Sequence, residues 1–337
     1  MEYVIDIATF STKAVVITIA FAAIAILIAN LVAGSRRKRT GLEVEKLNDK
    51  YRGFHRQLQH GMLGKKHFKA FAKGEKKLLK KDLSKDKRIF VLNFNGDIRA
   101  SAVSSLREEV TALLSIAKPE DEVVVIVESG GGLVTSYGLA SSQLERVKAR
   151  SIKLTVCVDK IAASGGYMMA CVADRICAAP FAVLGSIGVV AQIPNFHKVL
   201  KKHDVDFREI TAGEFKRTVT VFGEITEPGL QKFKAQIEET HVLFKDFVAR
   251  HRPKLDIARV ATGEHWFGTM ALQLGLCDEI TTSDDYLLAR ADSHDLFQLK
   301  YQGRRKWSER FSDGTSSVLR SVFWRLMSDA EETRFGT

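Results

Sequence analysis

No Cys-x-x-Cys pair occurs in this 337-residue chain, and its four cysteines, Cys157, Cys171, Cys177 and Cys277, sit among apolar neighbours. That removes the ligand spacing of a zinc or iron–sulfur site and argues against a disulfide framework. Buried free thiols are the expectation. The glycine-rich stretch Ser129-Gly-Gly-Gly132 has no further glycine near position 135, where Thr135 and Ser136 stand, and no Gly-Lys-Ser/Thr follows it. Dinucleotide and Walker-type phosphate loops are thereby excluded. No low-complexity tract or clear internal repeat appears. None of the nine histidines marks a catalytic turn. His55, His60 and His67 lie in a basic stretch, His197 and His203 on a short basic helix, and His241 and His251 on a long charged one. His265 opens a strand-like turn and His294 is near the tail.

Charge is missing from Ala14 to Ala33, 20 residues in which only Thr18 and Asn30 are notably polar. At about 1.5 Å per residue, such a helix spans about 30 Å, the hydrocarbon thickness of a bilayer. A cleaved signal peptide would want a basic start and a shorter apolar core. Here the start carries Glu2 and Asp6, with only Lys13 beside the run. The pattern predicts an uncleaved anchor over residues 1–35. Basic residues then concentrate in one place. Between Ser35 and Arg88 stand 19 Lys or Arg against 6 Asp or Glu, a net of +13, which leaves the rest of the chain at −2. The basic segment 36–87 therefore reads as a partner for anionic lipid headgroups, or as a solvated linker, rather than as a nucleic-acid surface. Gly41 to Gln59 is compatible with a juxtamembrane helix.

From Arg88 the pattern alternates. Ile89–Phe94, Glu122–Val127, Lys153–Val158, Arg175–Ala178 and Ile187–Ala191 read as strands, and Ala102–Ala117 and the stretch ending near Arg150 as helices. The β-branched run Glu122-Val-Val-Val-Ile-Val127 is typical of a strand buried on both faces. This order predicts an α/β domain with a mostly parallel sheet covered by helices. Ligands in such sheets sit at the carboxyl ends of the strands. Two glycine-rich stretches fall there. One is Ser129–Gly132, either a flexible turn or a pair of backbone N–H groups exposed to a developing oxyanion. The other is Ala162-Ala-Ser-Gly-Gly-Tyr167, either a capped turn or a nucleophile raised clear of the sheet beside the free amides of a first helical turn. A serine needs a base. With no histidine placed for it, lysine is the other option, and Lys216 follows the strand-like Asp206–Thr211. A lysine acts as a base only when neutral, a form that burial or a nearby cation such as Arg217 favours.

These stretches, together with Gly185-Ser-Ile-Gly-Val189, Gly213-Glu-Phe-Lys-Arg217 and Gly268 to Ile280, resemble the signal peptide peptidase (protease IV) family, most closely its SohB-type inner-membrane serine peptidases. The resemblance runs from the apolar segment to about Ile280. It implies a ClpP/crotonase-like fold over 88–285 and a serine–lysine dyad without a cofactor; beyond it, residues 286–337 read as an amphipathic tail, carried by Val318–Met327. Carried onto this chain, Ser164 is the nucleophile and Lys216 the base. Gly132 and Gly165 form the oxyanion hole, Ser186 orients the lysine, and Gly131, Gly185, Ile187 and Gly188 contact the substrate. A departure stands at Gly130, where the family usually has proline, and the loop is expected to lose rigidity. The implied partners are a peptide or protein substrate, membrane lipid through 14–33 and the basic segment 36–88, and further copies of the chain in a homo-oligomer. The Arg36–Arg39 cluster places the catalytic part in the cytoplasm, whereas the resemblance places it in the periplasm. A crotonase-like acyl-CoA enzyme and a catalytically silent membrane scaffold are the competing readings.

Overall fold

In the computed structural model of the chain, the described residues are 41–79, 85 and 87–303. The expected anchor, the Arg36–Arg39 cluster and the amphipathic part of the tail lie outside them. Among the described residues, no helix is long and apolar enough to cross a membrane.

Residues Leu42–Tyr301 form one compact unit. In chain order it contains β1 (Gly41–Lys46), α1 (Leu47–Met62), α2 (Lys65–Leu79), β2 (Arg88–Gly96), α3 (Val103–Leu114), β3 (Glu122–Ser129), α4 (Val134–Lys148), β4 (Lys153–Val158) and β5 (Ile161–Ala163). There follow α5 (Gly165–Ala170), β6 (Arg175–Ala178), β7 (Val183–Gly185), α6 (His197–Lys202), α7 (Glu227–His251) and α8 (Ile257–Val260). The last elements are β8 (His265–Phe267), α9 (Gly268–Gln273), β9 (Glu279–Ile280), α10 (Ser283–Leu288) and β10 (Asp295–Gln302).

The main sheet runs β1-β10-β2-β3-β4-β6-β9, and its register pairs from β10 to β9 are parallel. Successive residues of its strands serve opposite faces. Phe90, Leu92 and Phe94 of β2 pack into one cluster with Val123, Val125 and Val127 of β3, under α3, α4 and α5. Ile89, Val91, Val124, Cys157 and Cys177 enter a second cluster with Leu47 of α1 and Tyr286 and Leu287 of α10. Because helices cover both faces, these strands read as nearly continuous apolar runs. All four cysteines are buried free thiols.

Elements on either side of 88–285 belong to the same body. Buried Asn48 on α1 donates to the carbonyls of Ala291 and His294 and accepts from the Leu296 amide at 2.7 Å. One side chain thus satisfies the turn before β10 and fastens α1 to the sheet. The stretch compatible with a juxtamembrane helix from Gly41 divides into β1 and α1. Two expected strands are not formed. Residues 187–191 are irregular because positive φ at Gly185 (96°) and Ser186 (52°) turns the chain out of β7, and among the described residues 206–211 pairs with no strand.

Glu122 is the buried carboxylate that joins β3, β4 and α10. It accepts from Thr155 and Tyr286 at 2.6 Å each and pairs with Lys153 at 3.1 Å. Burial pushes its pKa up, but the Thr155 and Tyr286 hydroxyls and Lys153 together hold it below the ordinary glutamate value. A carboxyl depressed in this way stabilises the fold above its unfolded pKa and loses that contribution as pH falls through its folded one. Tyr286→Phe is therefore expected to cost about 1–2 kcal/mol at neutral pH. In denaturant unfolding of the full chain, the gap to wild type should close on acidification; a gap independent of pH would contradict the assignment.

Candidate active site

Three parallel strand ends build the site. β3 pairs with β5 at Ser129↔Ala162, and β5 pairs with β7 up to Ala163↔Gly185. Their loops, Ser129–Gly132, Ser164–Gly166 and Gly185–Gly188, therefore leave the sheet at one edge. The expectation that both glycine-rich stretches meet at strand ends is what the register produces.

Ser164 stands between β5 and α5 at φ 52°, ψ −118°, a conformation that L-residues rarely adopt. Its amide donates to Gly185 O at 2.8 Å, and its carbonyl accepts from Met168 N at 2.9 Å, the first turn of α5. These two bonds hold the strained backbone and leave a half-buried side chain free. Gly165 follows at the helix start, pressed on the buried Tyr137 ring so closely that a Cβ would come within 2.4 Å of it. Gly131 lies on the turn from the other side. At φ 90°, a Cβ there would come within 2.7 Å of both Gly165 N and Ser164 Cβ. Only glycine permits that approach.

Hydrogen bonding separates the loop's amides. Gly131 N–H donates to Ser129 Oγ at 3.0 Å, and Leu133 N–H to Ile98 O at 2.8 Å. Between them, Gly132 is pinned against Ile98, and among the described residues no acceptor contacts its N–H or that of Gly165. Those two amides are the ones expected to form the oxyanion hole.

Ser186 shares the positive φ of Ser164. It leaves the neighbouring strand at φ 52°, and its amide donates to Glu264 O at 2.6 Å. Gly185 is packed on Trp266, Gly188 on Gly263, and buried Ile187 accepts from His241 Nε2 at 3.2 Å. So Ser164, Ser186 and all the glycines expected at the site are brought to one edge. Lys216 is not. It is exposed on an irregular loop, and among the described residues no hydrogen bond or ion pair joins it to Ser164 or Ser186. Its neighbour Arg217 pairs with Glu209 at 3.5 Å. Among the described residues, no cluster of His, Cys, Asp or Glu is arranged to hold a metal.

A residue that the sequence reading passed over lies beneath both loops. The Tyr137 hydroxyl touches Ser129 Oγ at 2.5 Å and donates to Asp97 O at 2.7 Å. Burial is the main influence on this phenol and raises its pKa, outweighing the Ser129 hydroxyl, so it stays protonated. Its one sequence signal was an aromatic in the first turn of the helix that follows the glycine loop.

A parallel α/β sheet that gathers a strained serine and two unpaired amides at its carboxyl edge defines a hydrolase-like class of site. The chain belongs to peptidase family S49. Its N-terminal family model matches residues 2–144, and the Peptidase family S49 model matches 146–296. Similar chains include a Probable protease SohB of Haemophilus influenzae, 52% identical over 285 residues, covering 80% of this chain and 81% of that one. Another of the same name, from Buchnera aphidicola subsp. Schlechtendalia chinensis, is 46% identical and covers 86% of this chain and 100% of its own.

Gly131 and Gly138 make a paired test. Gly131→Ala should destabilise the chain and remove activity, because its Cβ meets Ser164 at 2.7 Å and its φ is positive. Gly138→Ala, in α4 with open space around it, should be neutral or stabilise by about 0.5–1 kcal/mol. Thermal unfolding and peptide hydrolysis read both, and equal behaviour of the two variants would refute the proximity.

Proposed function

We propose that this peptidase is a serine endopeptidase in which Ser164 attacks the scissile carbonyl and Lys216 takes its proton, then returns it to the leaving amine. The observation that carries this reading is Ser164 itself, held at a strained turn beside the unpaired amides of Gly132 and Gly165. An oxyanion formed there would be met by two preorganised donors, each typically worth about 2.7–4 kcal/mol of transition-state stabilisation. Ser186, on the adjoining strand end, is the hydroxyl that would orient the lysine amine, and the 185–188 turn lies where an extended substrate would pass. Ile98, 72% exposed, and Leu133 flank the Gly132 amide and favour apolar peptides, such as signal-peptide remnants or membrane-associated chains. The run Ala14–Ala33 would anchor the enzyme in the bacterial inner membrane, with the basic segment against anionic lipid.

Lys216 needs a partner surface to serve as base. Its loop belongs to a stretch that exposes Val190 (80%) and Ile210 (96%), large apolar side chains of the kind a second subunit covers. The dyad is therefore proposed to be completed between protomers of a homo-oligomer, with Ser164 of one copy served by Lys216 of the next. An isolated protomer would be silent, which is where a scaffold reading would find its support.

A fluorophosphonate probe on the assembled protein should label wild type, fail on Ser164→Ala, and label Lys216→Ala weakly. Lys216→Arg should be inactive, because a guanidinium does not deprotonate. Co-assembly of equal amounts of Ser164→Ala and Lys216→Ala protomers should regain about a quarter of wild-type activity, since each interface keeps both groups in one pairing of four. No labelling of the intact oligomer would sink the serine mechanism; no recovery on mixing would sink the shared dyad.

A further inference from the structure

Ser129–Gly132 carries three glycines in succession, the residue type with the most backbone freedom to lose. Yet one conformation is required, because Gly131 must face inward for the loop to lie against Ser164. What selects it can be read from proton counting. The Tyr137 hydroxyl has one proton, and its 2.7 Å contact with Asp97 O uses it, because a carbonyl only accepts. The 2.5 Å contact between Tyr137 and Ser129 must then have Ser129 as donor. Ser129 Oγ, having given its own proton away, offers a lone pair to Gly131 N–H at 3.0 Å. The chain therefore has one direction: Gly131 amide to Ser129, Ser129 to Tyr137, Tyr137 to the Asp97 carbonyl. Ser129 is 2% exposed and Tyr137 is fully buried, so water does not compete for these contacts. Gly96 leaves the space they need; a Cβ there would lie 2.4 Å from the phenol oxygen and 2.6 Å from Ser129 Oγ. The same tyrosine ring supports Gly165.

We propose that Tyr137 is a positioning residue for catalysis: through Ser129 it holds the Gly131 amide turned into the protein, and so leaves the Gly132 N–H as the loop's donor to the substrate carbonyl. The inference rests on the peptidase reading above for its catalytic consequence, but not for the clamp itself. Tyr137 touches no reacting atom. Its effect passes through a loop that would otherwise sample other orientations, and an oxyanion donor displaced for part of the time weakens the transition state more than the bound ground state.

The test uses the full-length protein as wild type, Tyr137→Phe, Ser129→Ala and the double variant. Amide hydrogen exchange over 129–133 should speed up in each variant, whether or not the protein is active. With a fluorogenic apolar peptide, each single variant should lose about 10- to 100-fold in kcat with KM within about twofold. The double variant should be no worse than Ser129→Ala, because both act through one amide. Unchanged exchange in Tyr137→Phe overturns the clamp. Normal kcat with accelerated exchange, or losses that multiply in the double variant, overturns the positioning role. If wild type itself neither cleaves peptide nor reacts with the probe, the peptidase reading fails on that arm, and the exchange arm still decides the clamp.

Discussion

Parallel pairing of β3, β5 and β7 is the constraint on which the site depends. In a parallel ladder, all carboxyl ends face one edge, so three separate loops arrive together without any loop being long. The register is narrow: one residue pair joins β3 to β5, and three join β5 to β7. Ser164 and Ser186 each follow one member of the Ala163↔Gly185 pair, and both leave at φ 52°. Positive φ at a serine costs on the order of 1–3 kcal/mol and persists only where neighbours over-determine it. Here the Gly185 carbonyl fixes one serine and the Glu264 carbonyl, beside β8, fixes the other. The backbones of both serines are thus engaged by their neighbours, while their side chains leave the sheet at one edge.

Much of this was legible from residue order because the sheet is covered on both faces. Lys153–Val158 and Arg175–Ala178 are apolar runs bounded by charged or polar positions, and the structure gives both with the same ends. The convergence of Ser129–Gly132 with Ser164 followed from strand-end logic alone. The places where the reading departed have physical causes. Ile187–Ala191 has the composition of a strand, but backbone turns at Gly185 and Ser186 precede it, and composition does not encode φ. β10 was hidden because its place depends on Asn48, nearly 250 residues earlier, accepting from the Leu296 amide. Tyr137 looked like any core aromatic. Its ring packs in the core, but its buried hydroxyl also joins Ser129 Oγ to the Asp97 carbonyl, a juxtaposition that residue order does not encode.

Rigidity at a glycine loop can be built into the chain or supplied from outside it. Proline restricts φ covalently and would act on the unfolded state as well. Gly130, where the resembling family carries proline, gives that restriction up. Ser129 and Tyr137 act only once β3 and α4 have docked, and each hydrogen bond contributes on the order of 1 kcal/mol net. Such a restraint depends on the fold around it. It can hold the loop through burial, where water is excluded, but it fails if either hydroxyl is lost. A loop of this design is tied to its supporting helix in a way that a proline loop is not.

Lys216 poses the opposite problem. A base must shed its proton near neutral pH, and for an ammonium that requires removal from water or a cationic neighbour. In the single chain the Lys216 side chain is exposed, and Arg217 beside it is paired with Glu209. Ser164, by contrast, is half-buried and fully prepared. The two halves of the proposed dyad are thus finished to different degrees by folding. Packing of the exposed apolar residues around Lys216 against another copy would desolvate the amine and deliver it to a serine in one event. On that reading, folding alone yields a protected nucleophile without a base, and assembly is the step that turns hydrolysis on.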